Sequence, residues 1–420
     1  MRPRYGVGAG ILLLAVASVA ALMHPLGAGA RVGSVTVGVS PSSVAVDPRT
    51  HHVFVTNWGD NTVSMLDAAS GRVVRVAAVG HTPSAVAVDE RASRAFVLNV
   101  NPDSVSVLDT VRGVVLRTVV PFSNLSDVAV DKRTGHVFVL DGPDGVHGRA
   151  VMLDARSGRV VHTAALGKSS RPVAIDSRTQ RAFVPNSDDG TVSVLDTATG
   201  RVVRTVRVGS LPYAVAVDER ASRVFVISNL DRSVSVLDAR SGAVLRTVPV
   251  GRNPQTLAVD TRRGYVFVVN EDAGTVSVLD ARTGGVRRTV AVGAFRPRAL
   301  CGRVIDVLVD ERGGHAFVLN GGAADSHFYT TNGSMSVLDV ASGRVLRTLP
   351  VGHGPIAMAV DERAAHVFVV NNGPAGQRGG QDLWGWVPAS VRRRVPWLPG
   401  PSPSTIIAAG TVTVLDTARV

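Results

Sequence analysis

The side chains able to do chemistry in this chain are few, and their spacing restricts what they can do. Cys301 is the one cysteine among 420 residues, which excludes a disulfide framework, a paired-cysteine redox centre and a thiolate metal site. Of the eleven histidines, His81 and His353 each follow a Val-Gly pair, while His147 and His327 lie in segments longer than their counterparts elsewhere. Four imidazoles suit a metal, but no His-x-His or His-x-x-Glu-His spacing joins them, so neither a metal nor another cofactor is expected. Positions equivalent to His81 and His353, or close to them, hold Lys168, Arg171, Ser210, Tyr213, Arg252, Asn253 and Gln255, with Arg296 and Arg298 in an adjoining insertion. Basic and amide groups gathered at one concave mouth suit an anionic or polyhydroxylated ligand; the same groups could equally border a hydrated funnel without one.

A second group of chemically distinctive residues is compact in sequence. Trp384, Trp386 and Trp397, three of the four tryptophans, flank Arg392, Arg393 and Arg394 in a stretch ending in the proline-rich segment 396–403. Trp beside Arg suits a surface that is apolar at one level and anionic at another, so residues 382–398 are candidates for contact with a partner or a membrane surface. A lid packed on the rest of the chain, with its arginines in water, is the structural alternative. No Gly-x-Ser-x-Gly, Walker or dinucleotide-binding pattern occurs, and Asp188-Asp189-Gly190 and Glu271-Asp272 offer too few oxygens for calcium. No catalytic residue can be named.

The elements that position these groups are repeats. A segment ending in Val-Asp or Ile-Asp recurs at Asp47, Asp89, Asp131, Asp176, Asp218, Asp260, Asp310 and Asp361, and seven residues after each stands a phenylalanine, from Phe54 to Phe368. A further apolar run ends in Leu-Asp at Asp67, Asp109, Asp154, Asp196, Asp238, Asp280, Asp339 and Asp416. Each unit therefore holds four short β-branched runs separated by turn residues, and none has helical spacing. Four strands in about 42 residues is the period of a propeller blade, whose faces are buried only by neighbouring blades. The expected fold is all-β: an eight-bladed β-propeller of four-stranded antiparallel blades, with seven blades as the alternative count. The repeated Phe should pack between blades. Because the chain stops after the third strand of the eighth unit, residues 32–38 should complete the last blade beside residues 411–415 and so cover its edge.

Phe54-Val-Thr-Asn57, followed by Gly-Asp-Asn-Thr-Val-Ser-Met-Leu-Asp67, resembles the repeat of the YVTN β-propeller family, and Phe267-Val-Val-Asn270 and Phe368-Val-Val-Asn371 match nearly as well. The resemblance spans residues 32–420 apart from the insertions. It implies a propeller fold and an exported or surface-layer setting, and its motif carries no catalytic residues. Propellers also host lactonase-like hydrolases and quinoprotein-type dehydrogenases, so an enzyme with its site at the channel mouth is the alternative by analogy of fold.

Strand parity sorts the connections onto two faces. Those on one face, the bottom, have constant length; the extra residues around 142–148, 294–304, 321–333 and 372–410 all fall on the other, the top. Loop variation on one end of a rigid scaffold is where binding is expected. Residues 1–30 run from Arg2 and Arg4 through an apolar segment, 7–23, to Ala28 and Ala30, the order of a signal peptide, with an uncleaved membrane anchor as the alternative. Residues 31–420 then form one exported domain of the periplasm or cell surface. The formal charge is +12, and 43 of the 45 basic residues are arginine; eight of them, Arg49, Arg91, Arg133, Arg178, Arg220, Arg262, Arg312 and Arg363, stand two residues after a first-strand Asp on the bottom face and are expected to pair with it in the turn. Without an aromatic stacking platform or a recognition motif, that charge gives no expectation of nucleic-acid binding. The expected molecule is a monomer that binds an envelope protein, a polysaccharide or an anionic small molecule through its top face.

Overall fold

The computed structural model describes residues 32–142, 147–170, 172–292, 304–321, 332–373 and 409–417. These form eight four-stranded antiparallel sheets, the blades of an eight-bladed β-propeller, as the repeat count requires. In blade 1 the strands Pro41–Asp47, His52–Asn57, Thr62–Asp67 and Val73–Ala78 run outward from the axis in chain order. The blades that follow begin at residues 83, 125, 174, 212, 254, 304 and 355. Blade 8 takes its outer strand, Val32–Val39, from the start of the described chain, pairing Val32 with Leu415 and Thr36 with Thr411. The ring is closed as expected, with a register irregularity near the top end of that strand.

Burial explains why the runs are apolar without alternation. The second and third strands are covered by a neighbouring blade on each face, so His52–Asn57 is buried throughout apart from its first residue, whereas the outer strand Val73–Ala78 is largely exposed. Eight hydrophobic clusters fill the eight seams between blades, each built around one of the repeated phenylalanines. Phe54 packs with Val86 and Val97 of blade 2, and Phe368 packs with Val53 and Val55 of blade 1 across the closure. None of the eight is more than 1% exposed.

The bottom turns correct one expectation. The Asp at the end of each inner strand was expected to pair with the arginine two residues later; instead it accepts backbone N–H groups. Asp47 Oδ1 takes those of Arg49 and Thr50 at 2.9 and 3.3 Å, and Asp89, Asp131, Asp176, Asp218, Asp310 and Asp361 do the same. The carboxylate is buried inside its own turn, so the guanidinium reaches outward to the next blade. Arg363 donates to Pro48 O at 2.8 Å and Arg133 to Arg178 O at 3.3 Å. The strand-edge histidines also cross the seams, with His52, His136 and His366 placing Nδ1 2.7 to 2.8 Å from carbonyls of the following blade.

Arginine has a parallel role on the rim. Arg204, Arg246 and Arg288 lie across the groove to the next blade and donate to Ser241 O, Thr283 O and Val340 O at 3.2, 2.5 and 3.0 Å. The Gly of four Ser/Thr-Gly turns, Gly158, Gly242, Gly284 and Gly343, lies beside such a side chain: Gly343 has φ +64°, and a Cβ there would collide with the Arg288 guanidinium. The outer strands Val73–Ala78, Val114–Val119, Val202–Arg207, Val244–Pro249, Val286–Ala291 and Val345–His353 hold Arg75, Arg117, Arg204, Arg207, Arg246, Arg287, Arg288 and Arg347 and no acidic residue. Eight arginines thus stand on the rim; Arg117, Arg204, Arg246 and Arg288 donate to carbonyls of the next blade, and Arg287 pairs with Asp280 of its own.

Candidate functional site

The mouth of the channel is built by a pairing of two repeat positions. At the end of the second strand six blades carry a buried Asn, and in five of them, at Asn57, Asn99, Asn186, Asn270 and Asn371, it lies beside the Gly that precedes the inner strand. Asn57 Nδ2 donates to Thr62 Oγ1 and Ser64 Oγ, each at 2.9 Å, while its Oδ1 accepts Gly38 N–H at 3.2 Å. A Cβ at Gly38, Gly80, Gly167, Gly251 or Gly352 would come within 2.5 to 2.6 Å of the facing Asn side chain. The loop between second and third strands adds a carboxylate that holds the next amide: Asp60, Asp189 and Asp231 accept the N–H groups of Val39, Lys168 and Ser210 at 2.5 to 2.8 Å. Blade 3 departs from the pattern. Phe122 replaces the Gly, Asp141 replaces the Asn, and Asp141 accepts the amides of Ser123 and Asn124 at 2.9 Å while pairing with Arg149. In both versions the backbone of the entry loop is fixed and the side chain of its next residue projects from it.

That projecting position alternates in a way that reading the residues as one pool concealed. It holds His81, Lys168, Arg252 and His353 in blades 2, 4, 6 and 8, and Val39, Ser123 and Ser210 in blades 1, 3 and 5. Four nitrogenous side chains thus stand at quarter-turn intervals around the mouth. His81, Lys168 and Arg252 are exposed; His353 is half-buried, and its Nδ1 has no hydrogen-bond partner. Aligning the eight copies position by position was the signal that would have shown the alternation.

The other sequence-predicted residues are placed differently. Asn253 is the hub of a side-chain network: its Oδ1 accepts from Asn229 at 2.9 Å and Gln255 at 2.8 Å, and its Nδ2 donates to Glu271 at 2.9 Å and Asp272 at 3.1 Å. This amide therefore orders the loop bearing Arg252. Tyr213 is half-buried at the start of the inner strand of blade 5. Arg171, Arg296, Arg298, Trp384, Trp386, Arg392, Arg393, Arg394 and Trp397 lie outside the described residues, as do His327 and most of the four top insertions. Among the described residues, no group of three or more His, Cys, Asp or Glu is arranged to hold a metal. No helix among them is long and apolar enough to cross a membrane.

Below the mouth are two carboxylates that sequence reasoning did not single out. Asp127 and Asp306 occupy the same position of the inner strand, in blades 3 and 7, where the other copies have Ser, Ala, Thr or Pro. Part of each residue borders the lumen, but its carboxyl group is enclosed by protein, and this burial pushes both up to about 6 against the lowering effect of the amides they accept.

A family model described as outer membrane protein assembly factor BamB matches residues 59–323 and 188–412. Among solved structures, Kuenenia stuttgartiensis hydrazine synthase is similar at a TM-score of 0.55 and 17% identity, over 83% of this chain and 98% of that one. Dihydro-heme d1 dehydrogenase NirN, in complex with DHE, is similar at 0.58 and 13% identity, over 75% of this chain and 66% of that one. A functionally unknown protein from Desulfotomaculum acetoxidans follows at 0.54 and 15%, over 71% and 95%. At such identities the likeness is one of fold. A search of curated proteins finds no match. The two overlapping family matches together run from residue 59 to residue 412, and this chain belongs to the BamB family of β-propellers.

Proposed function

We propose that this chain is an exported, non-enzymatic propeller that binds an anionic envelope partner through its top face. The observation that carries this reading is the ring of His81, Lys168, Arg252 and His353 at quarter-turn intervals, with the Lys168 loop held at its backbone by Asn186 and Asp189 and the His81 loop by Asn61. Lys168 and Arg252 supply positive charge and the two imidazoles ring nitrogens for hydrogen bonds, and a loop backbone held in place lowers the ordering cost of binding an anion there. The long top insertions, with Trp384, Trp386, Trp397 and the Arg392 to Arg394 run, would extend the contact surface. The YVTN-like repeat, the leader-like residues 1–30 and the assembly-factor description of the family support a setting in the cell envelope.

The competing reading is a propeller enzyme at the same mouth, and two of the similar structures carry enzyme names. A screen against lactones, sugar phosphates and dye-coupled alcohol or amine oxidation separates the two: turnover abolished by changing His81, His353 or Arg252 would replace the binding reading. The direct test is capture from a solubilised envelope fraction. Lys168→Glu with Arg252→Glu should lose the captured partner, while Arg91, Arg133 and Arg178 changed together to Gln should retain it. Loss in the second variant alone would move function to the bottom face.

A further inference from the structure

The axial lumen holds an arrangement distinct from the mouth. Asp127 accepts the backbone N–H of Val173 in blade 4 at 2.8 Å together with that of its own neighbour Val128. Asp306 repeats this four blades away, accepting Val307 N–H at 2.8 Å and that of Met358 in blade 8, with Thr256 donating its hydroxyl. One carboxylate thus spans two amides on adjacent inner strands, and an amide that donates to the neighbouring blade is not engaged in its own sheet ladder. Val44, Val86, Val215 and Leu257 stand at the same position with the same register, pairing with Val55, Val97, Val226 and Val268 as Val128 pairs with Val139. Their amides therefore share that orientation, and no side-chain acceptor among the described residues takes them. Where blades 3 and 7 carry Asp, blades 1 and 5 carry Ser43 and Ala214, too short to reach.

We infer that the paired amides of Val44 with Val86 and of Val215 with Leu257 are two seats for the carboxylate of a ligand entering the lumen, matching the two seats that Asp127 and Asp306 fill from within. The four seats fall at the blade 1/2, 3/4, 5/6 and 7/8 seams, a fourfold pattern in register with the alternation above them. Exposure follows the division at three of the four open positions: Val128, Val173, Val307 and Met358 are 5 to 9% exposed, whereas Val44, Val215 and Leu257 are half-buried, and Val86, at 9%, is the exception. Backbone amides aimed at one point recognise carboxylates through charge-assisted hydrogen bonds. The inference concerns the lumen and stands whether or not the top face binds an envelope partner.

The test uses the folded full chain, labelled with ¹⁵N and titrated with sodium acetate at constant ionic strength. Saturable amide shifts are expected at Val44, Val86, Val215 and Leu257 and not at Val128, Val173, Val307 or Met358. Ser43→Asp with Ala214→Asp should supply internal carboxylates and weaken acetate binding at least tenfold. Asp127→Ala with Asp306→Ala should make the second set of amides respond, which keeps the inference testable if the first variant does not fold. Shifts that fail to saturate or that spread over surface arginines would mean an adventitious ion only. Those results, or an undiminished response in a folded Ser43→Asp, Ala214→Asp variant, would overturn the inference.

Discussion

Asp127 and Asp306 should make the propeller more stable in mild acid than at neutrality. Burial pushes each up to about 6 in the folded chain, whereas an unfolded Asp titrates near about 3.9. The folded state therefore binds the proton more tightly. The stability these groups confer is complete below about pH 4 and is lost as pH rises through about 6. Between the fully protonated and fully ionised limits the difference is about 3 kcal/mol per group; over the window from pH 5 to 7 it is about 1.3 kcal/mol each, or about 2.5 kcal/mol for the pair. Both act where two inner strands meet, at the blade 3/4 and 7/8 seams. Asparagine at both positions keeps a carbonyl oxygen for the Val173 and Met358 amides but cannot ionise. Denaturant unfolding of wild type and of the Asp127→Asn, Asp306→Asn double variant at pH 5, 6 and 7 isolates the effect, because every other titrating group is common to both. The variant should gain on the wild type by about 2.5 kcal/mol between pH 5 and 7. Parallel profiles would refute the reasoning, since they would mean that the two carboxyl groups titrate alike in the folded and unfolded chain.

Three further outcomes follow from the packing. Phe267→Ala empties the centre of the blade 6/7 cluster and should cost about 3 to 5 kcal/mol in unfolding free energy. Gly251→Ala places a methyl group 2.5 Å from the Asn270 side chain and should cost about 1 to 3 kcal/mol, read as a lower thermal midpoint; a neutral effect would remove the Asn–Gly account of the entry loops. Deleting residues 32–38 takes the outer strand from blade 8, exposes the edge of Ala409–Asp416 and removes Val37 from the closing seam, so the thermal midpoint should fall sharply; an unchanged midpoint would refute closure by this strand.

Spacing along the chain was enough to determine the number of blades, the place of each phenylalanine, the closing strand and the face on which the long connections fall. These are properties of the repeat: a blade cannot bury its own faces, so a unit repeated eight times with a large apolar residue at one position has few ways to pack. Strand pairing within a blade joins neighbours in sequence, and its register follows from turns of constant length. The partners of the polar groups were decided by the tertiary structure. An Asp-x-Arg turn reads as an ion pair, yet Asp47 satisfies its own turn amides while Arg363 reaches Pro48 from the far end of the chain. The arginine count names no partners, whereas in the ring Arg204, Arg246 and Arg288 donate to carbonyls of the next blade. Asp127 and Asp306 carry no signal of their own along the chain, and only the ring places them on opposite sides of one lumen. In each case the deciding contact joins one blade to its neighbour across a seam, between residues about forty positions or more apart, and side chains commit to such contacts only after the sheets have met.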